Sequence, residues 1–149
     1  CYPADAGVLG MPENAAPLVS EGKAGLAKAF QDATAVFDSA GICVFTSFAW
    51  SLEDVAPQID AACDGDWSVD KLLEVGERIW NLERNFNNAA GFSAADDKLP
   101  ERLVKDAAKT GPAKGLTNQL DKMLPEYYEL RGWTTDGVPT NETLSRLGL

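Results

Sequence analysis

The sequence predicts an all-α fold, an irregular multihelical bundle with long loops. Apolar residues recur at helical spacing in several long segments. Glycines stand just past the ends of those segments, where a left-handed residue stops a helix. No stretch carries the apolar–polar alternation of a half-buried strand. The 149 residues are enough for one domain with a real core, so 1–149 reads as a single helical domain.

Residues 1–21, with Pro3, Pro12 and Pro17, read as an extended lead-in with room for one short helical turn. Residues 22–39 read as the first helix. Leu26, Phe30, Thr34 and Phe37 recur at helical spacing, Ala27, Ala33 and Val36 widen the stripe, and Gly41 is the stop. Residues 52–63 form a second helix, with Ser51 as N-cap and Glu53 and Asp54 in the first turn; Pro57 fits near its start. Residues 68–89 carry the strongest pattern. Ser68 caps it, and Val69, Leu72, Leu73, Gly76, Ile79, Trp80, Glu83 and Phe86 keep the period. Glu74 and Arg78 are spaced to pair, and Gly91 ends it.

Residues 91–116 read as loop, with one short turn at LPERLV. Residues 117–131 return to helix, and Pro125 there suggests a break or two short helices. Gly132 and Trp133 close it, TTDG is a turn, and Thr140 caps a last short helix ending at Gly148.

The formal net charge of −10 repels phosphate backbones and argues against nucleic-acid binding. No run approaches the ~18 consecutive apolar residues of a membrane span. Three widely spaced cysteines without a CxxC argue against a disulfide scaffold and favour a reducing, cytoplasmic location. The absence of histidine removes HExxH zinc sites, Ser–His–Asp triads and Cys–His dyads from what this chain builds alone. There is no phosphate-binding glycine loop of either common kind. The N-terminus has neither an initiator Met nor the basic and apolar regions of a signal peptide, so the chain reads as a piece of a longer gene product.

DSAGICVF, residues 38–45, is the segment with unusual chemistry. Asp38 in a last helical turn opposes the helix dipole by about 0.3–1 kcal/mol. It is either a solvated or Asx-turn aspartate, or it has a donor that repays its placement. Cys43, among Ile42, Val44 and Phe45, is either a small buried hydrophobe or one of a ligand set completed elsewhere; one cysteine cannot hold an iron–sulfur cluster. Cys63 reads as a helix-end cysteine. Trp80, Tyr127, Tyr128 and Trp133 read as core and interface aromatics. Glu77, Arg78, Glu83 and Arg84 read as a salt-bridged helix face, with paired acid–base carboxylates as the less favoured alternative.

FQDATAVFDSAGICVF, GERIWNLERNFN, DDKLPERL, GPAKG and MLPEYYELRGWTTDGVP occur in that order. Together, from about Leu9 to Leu149, they resemble the C-terminal domain of tungsten-containing aldehyde:ferredoxin oxidoreductases. The resemblance implies a parent enzyme that oxidises aldehydes to carboxylic acids. Its tungsten, or sometimes molybdenum, is held by two pterins, and a 4Fe–4S cluster beside it passes electrons to ferredoxin. It implies that Asp38 accepts hydrogen bonds from a pterin, that Gly41 and Ile42 belong to the same pterin motif, and that Cys43 is the last cluster ligand. Ile42 stands where leucine is usual. The other three cluster cysteines, the β domain and the second pterin motif belong to parts of such an enzyme outside this sequence. The chain alone is therefore expected to hold no cofactor and to be inactive, with the remaining domains as its partners. An apolar surface around Ile42, Val44 and Phe45 is expected to meet them, or to form a homodimer. The rival reading is a stand-alone helical domain that binds a partner protein and has no redox role.

Overall fold

The computed structural model describes residue 16 and residues 18–149. Cys1 and the lead-in reading of residues 1–15 and Pro17 lie outside them. Among the described residues six α-helices form: α1 Lys23–Ser39, α2 Leu52–Ala62, α3 Val69–Ala89, α4 Glu101–Lys105, α5 Leu120–Arg131 and α6 Asn141–Leu147. Short 3-10 turns occupy Val44–Phe48 and Ala94–Asp96. Among the described residues no strand forms, and one isolated antiparallel bridge joins Trp133 to Pro139. The all-α expectation therefore holds.

The helix starts follow their caps. Ser51 and Asp54 form a capping box on α2, with the Ser51 N–H donating to Asp54 Oδ2 at 2.8 Å. Ser68 Oγ accepts from the Lys71 N–H, and Thr140 Oγ1 from the Thr143 N–H. Pro125 breaks nothing: α5 runs through it, as α2 runs through Pro57. Each proline deprives a carbonyl four residues earlier of its donor. Those carbonyls belong to Glu53 and Asp121, exposed first-turn residues that water reaches.

α1 and α3 pack antiparallel, because their partners climb in α3 as they descend in α1. Leu72 joins Val36 and Phe37 in the core, Gly76 lies against Asp32, and the Trp80 indole N–H donates to the Gln31 carbonyl at 2.9 Å. The apolar core lies at the C-terminal end of α1, built from Ala33, Val36, Phe37, Leu52, Val55, Ala56 and Leu72. The other end is held by polar and aromatic groups. Arg131 is wholly buried, with Nη1 donating to Asp32 Oδ1 at 2.5 Å. Asn81 is wholly buried and accepts from the Trp133 indole at 2.7 Å.

The proposed face of charges on α3 is not a ladder. Glu74 and Arg78 are exposed and form no ion pair with each other. Glu77 instead takes Arg146 from α6 at 2.9 Å and Lys28 from α1 at 3.7 Å. Arg84 is buried: Nε donates to the Gly137 carbonyl at 2.6 Å, and Nη1 and Nη2 fork onto Asp97 at 3.0 and 2.6 Å. These partners come from other elements, and burial repays tertiary pairing more than water repays an exposed pair on one helix.

Candidate functional site

The stretch 38–45 is where α1 stops. Three hydrogen bonds set the stop: the Ala40 N–H to the Val36 carbonyl at 2.9 Å, Gly41 to Asp38 at 3.1 Å, and Ile42 to Phe37 at 2.9 Å. The last two are the paired bonds of a Schellman turn. Gly41 is in the left-handed region at φ 70°, which favours glycine there. Ile42 is half-buried and turns in against the core, the apolar contact that accompanies such a turn.

The neighbours of Ile42 face outward. Asp38, Gly41 and Cys43 are all exposed. Among the described residues no atom lies within 4 Å of where a side chain on Gly41 would begin, so they leave that side of the backbone open to approach. No described residue donates a hydrogen bond or a salt bridge to the Asp38 carboxylate, and α1 has no basic residue in its last turn. The aspartate thus opposes the helix dipole without compensation from the described residues.

Cys43 departs from the buried-hydrophobe alternative, because it is exposed and unpaired. Its backbone is held while its sulfur is presented. The Cys43 carbonyl accepts from the Thr46 N–H at 2.9 Å and from Thr46 Oγ1 at 2.8 Å. Thr46 was not evident as a site residue from sequence; a threonine three residues past the cysteine is its only local signal. Beyond it Val44, Phe45, Phe48 and Trp50 are exposed, with Phe45 59% and Phe48 61% accessible, and the two phenylalanine rings stack at 6.1 Å. The expected apolar surface is therefore present at Val44 and Phe45 and extends to Phe48 and Trp50, while Ile42 belongs to the core.

Among the described residues no three Cys, Asp or Glu side chains come together as a metal site. Cys63 is exposed at the end of α2 and unpaired. A four-iron cluster normally takes four thiolates. Cys43 therefore fits one corner of such a group, and Asp38 fits a donor-rich heterocycle edge as an acceptor.

Asp97, Tyr128 and Glu77 are tied into structural contacts. Burial alone would raise the Asp97 carboxyl; hydrogen bonds from Arg84 and Tyr128 outweigh it and hold it low. Burial also pushes the Tyr128 hydroxyl up to about 12, reinforced by Asp97, to which it donates. Glu77 would likewise be raised by burial, but the Arg146 hydrogen bond and nearby cations hold it low. Glu77 is thus engaged by Arg146, and Glu83 is exposed. A concavity of about 1110 Å³ between α1, α5 and the 102–120 segment has mainly apolar walls, including Leu26, Phe30, Leu120 and Met123, and none of residues 38–43.

The family described as aldehyde ferredoxin oxidoreductase, domains 2 and 3, matches residues 2–149. The chain belongs to the aldehyde ferredoxin oxidoreductase family. It is 45% identical over 144 residues to a tungsten-containing aldehyde ferredoxin oxidoreductase of Pyrococcus furiosus and 44% identical to that of Pyrococcus horikoshii. Each match covers 95% of this chain and 24% of the relative, so the chain spans about a quarter of the length of these oxidoreductases. The active-site complex BamBC of benzoyl coenzyme A reductase shares the fold, with a TM-score of 0.71, 21% identity, and coverage of 93% of this chain and 21% of that one. Among the described residues no helix is long and apolar enough to cross a membrane.

Proposed function

We propose that this chain is the C-terminal helical domain of a cytoplasmic aldehyde:ferredoxin oxidoreductase and forms one wall of its cofactor site. The observation that carries this reading is the outward presentation of Asp38, Gly41 and Cys43 by one helix stop, with an acid that no described residue satisfies. When bound, a tungsten bis-pterin and a 4Fe–4S cluster would supply the two-electron oxidation of an aldehyde to a carboxylic acid and the passage of electrons to ferredoxin. Asp38 would accept hydrogen bonds from pterin N–H groups. Gly41 would let the heterocycle approach the backbone, and Ile42 would anchor the turn in the core. Cys43, held by Thr46, would give a thiolate to one iron. The remaining domains would supply the other ligands and cover the exposed Val44 and Trp50.

Asp38→Ala and Cys43→Ala in the full-length protein test the assignment by pterin, tungsten and iron content. Asp38→Ala is expected to lower pterin retention, and Cys43→Ala to lose cluster iron. Full pterin and four irons per chain in both would overturn it. The domain alone should be inactive, and a stoichiometric cofactor on the isolated chain would contradict the shared site.

The exposed Val44 and Trp50 also favour a second reading, a stand-alone domain that binds a partner protein. Translation of the DNA upstream of Cys1 separates the two. The enzyme reading expects a β-rich region and a CxxCxxxC-type group there; if neither is encoded, the partner-binding reading stands. Sedimentation at several concentrations, compared with Phe45→Ser, tests homodimerisation through this surface.

A further inference from the structure

We propose that the buried Asp32–Arg131 pair is a positioning device for the Asp38–Cys43 edge, fixing the rotation and axial register of α1. This rests on the reading of that edge as a cofactor wall. Arg131 lies at the end of α5 and has no solvent exposure; Asp32 on α1 is 3% exposed. All three guanidinium nitrogens of Arg131 are used. Nη1 donates to Asp32 Oδ1 at 2.5 Å, Nη2 to Gln31 Oε1 at 2.8 Å, and Nε to the Tyr127 hydroxyl at 3.0 Å. Its plane lies near the Trp80 and Tyr127 rings, with centroids 5.4 and 5.3 Å away. The second Asp32 oxygen takes Lys28 at 2.9 Å.

Such a pair adds little net stability compared with well-packed apolar side chains of the same volume, because desolvation offsets its attraction. What it supplies is direction. The apolar contacts of Ala33, Val36 and Phe37 hold α1 down but are not directional. A one-residue slip of α1 turns it by about 100° and moves it about 1.5 Å, which would strand a buried guanidinium without its carboxylate.

The setting at Asp32 reaches the edge without a joint. Asp38 lies six residues on, about 9 Å along the same helix. The intervening residues, Ala33 to Phe37, include neither glycine nor proline. Beyond Asp38 the paired turn bonds and Thr46 carry the chain to Cys43. A change in the rotation of α1 would therefore move the carboxylate and the thiolate together.

The test is made in the full-length holoenzyme with the double variant Asp32→Leu/Arg131→Met, which replaces the pair by apolar volume. Thermal unfolding, iron per chain and the EPR spectrum of the reduced cluster are read for it, for Arg131→Lys, and for Cys43→Ala. Arg131→Lys keeps the charge but loses the planar fork. The expected result is an unfolding temperature equal to or above the parent's in the double variant, with full iron, and a cluster signal split into at least two species in both pair variants. A single parental EPR species in both pair variants at full iron would overturn the positioning role. If neither accumulates as a folded holoenzyme, the pair is a folding requirement and the role is rejected. If Cys43→Ala keeps an unaltered cluster, the cofactor-wall reading itself fails. If it loses the cluster while the pair variants stay parental, only the positioning role fails.

Discussion

Gly76 of α3 lies against the Asp32 backbone of α1, and alanine there sets two effects of opposite sign against each other. In a helix interior, glycine to alanine gains about 1 kcal/mol from backbone entropy alone. A methyl group at Gly76, however, would lie 2.2 Å from the Asp32 carbonyl oxygen and 2.7 Å from its carbonyl carbon, where ordinary contact begins at 3.4 Å. The obstacle is backbone, which has no rotamer to change, so the helices must part by roughly 1 Å and lose dispersion contact along the seam. Overpacking typically costs about 1–3 kcal/mol, and a backbone obstacle belongs at the upper end. The net expectation is about 2 kcal/mol of destabilisation, or roughly 4–8 °C in unfolding temperature for a chain of this size. Urea unfolding followed by tryptophan fluorescence measures it, and the slope against denaturant should stay unchanged. An alanine variant as stable as the parent, or more so, would refute the close approach.

Gly41→Ala should cost about 1–2 kcal/mol for its left-handed backbone, since no described residue crowds the added methyl; a denaturation midpoint equal to the parent's would contradict that. Arg84→Met should cost about 3 kcal/mol by leaving the Gly137 carbonyl without its Arg84 donor and Asp97 without its guanidinium, with Tyr128 as the donor that stays, and lysine should restore less than half of that in urea titrations. The folded-state carboxyls of Glu77 and Asp97 are depressed, so their contribution is full above the ordinary carboxylate range of about 4. It should disappear as pH falls through the lowered values, and Asp97→Asn should flatten the acid side of the stability profile. Tyr128 is raised, so its contribution is present below about 10 and should be lost as pH climbs to about 12. Tyrosinate absorbance should show a late-titrating tyrosine that Tyr128→Phe removes.

Periodicity and caps located the helices because they are local. The segments 22–39, 52–63 and 68–89 agree with α1, α2 and α3 to within a residue at each end. Gly41, Gly91 and Gly132 end α1, α3 and α5 as their positions suggest. The Pro125 break failed because an exposed first-turn carbonyl tolerates losing its donor. Long-range polar contacts had no local signature. Arg84 looked like a surface charge, yet its partners Asp97 and Gly137 lie 13 and 53 residues away. Arg131 and Asp32 are 99 residues apart and occupy unremarkable places in their own helices. Gly76, a glycine inside an apolar stripe, was a visible signal of close approach, although its partner was not. At the candidate site the acid, glycine and cysteine stood out, but the exposure of Cys43 contradicted its apolar neighbours. The turn places Ile42 inward and its neighbours outward, which residue type alone did not reveal.

The most direct measurement is an iron-edge anomalous difference map from crystals of the full-length protein. The expected result is an iron peak within bonding distance of Cys43 Sγ, with the Asp38 carboxylate facing the nitrogen edge of a pterin. A cluster ligated by four other cysteines, with Cys43 away from the iron, would contradict the proposed cofactor wall.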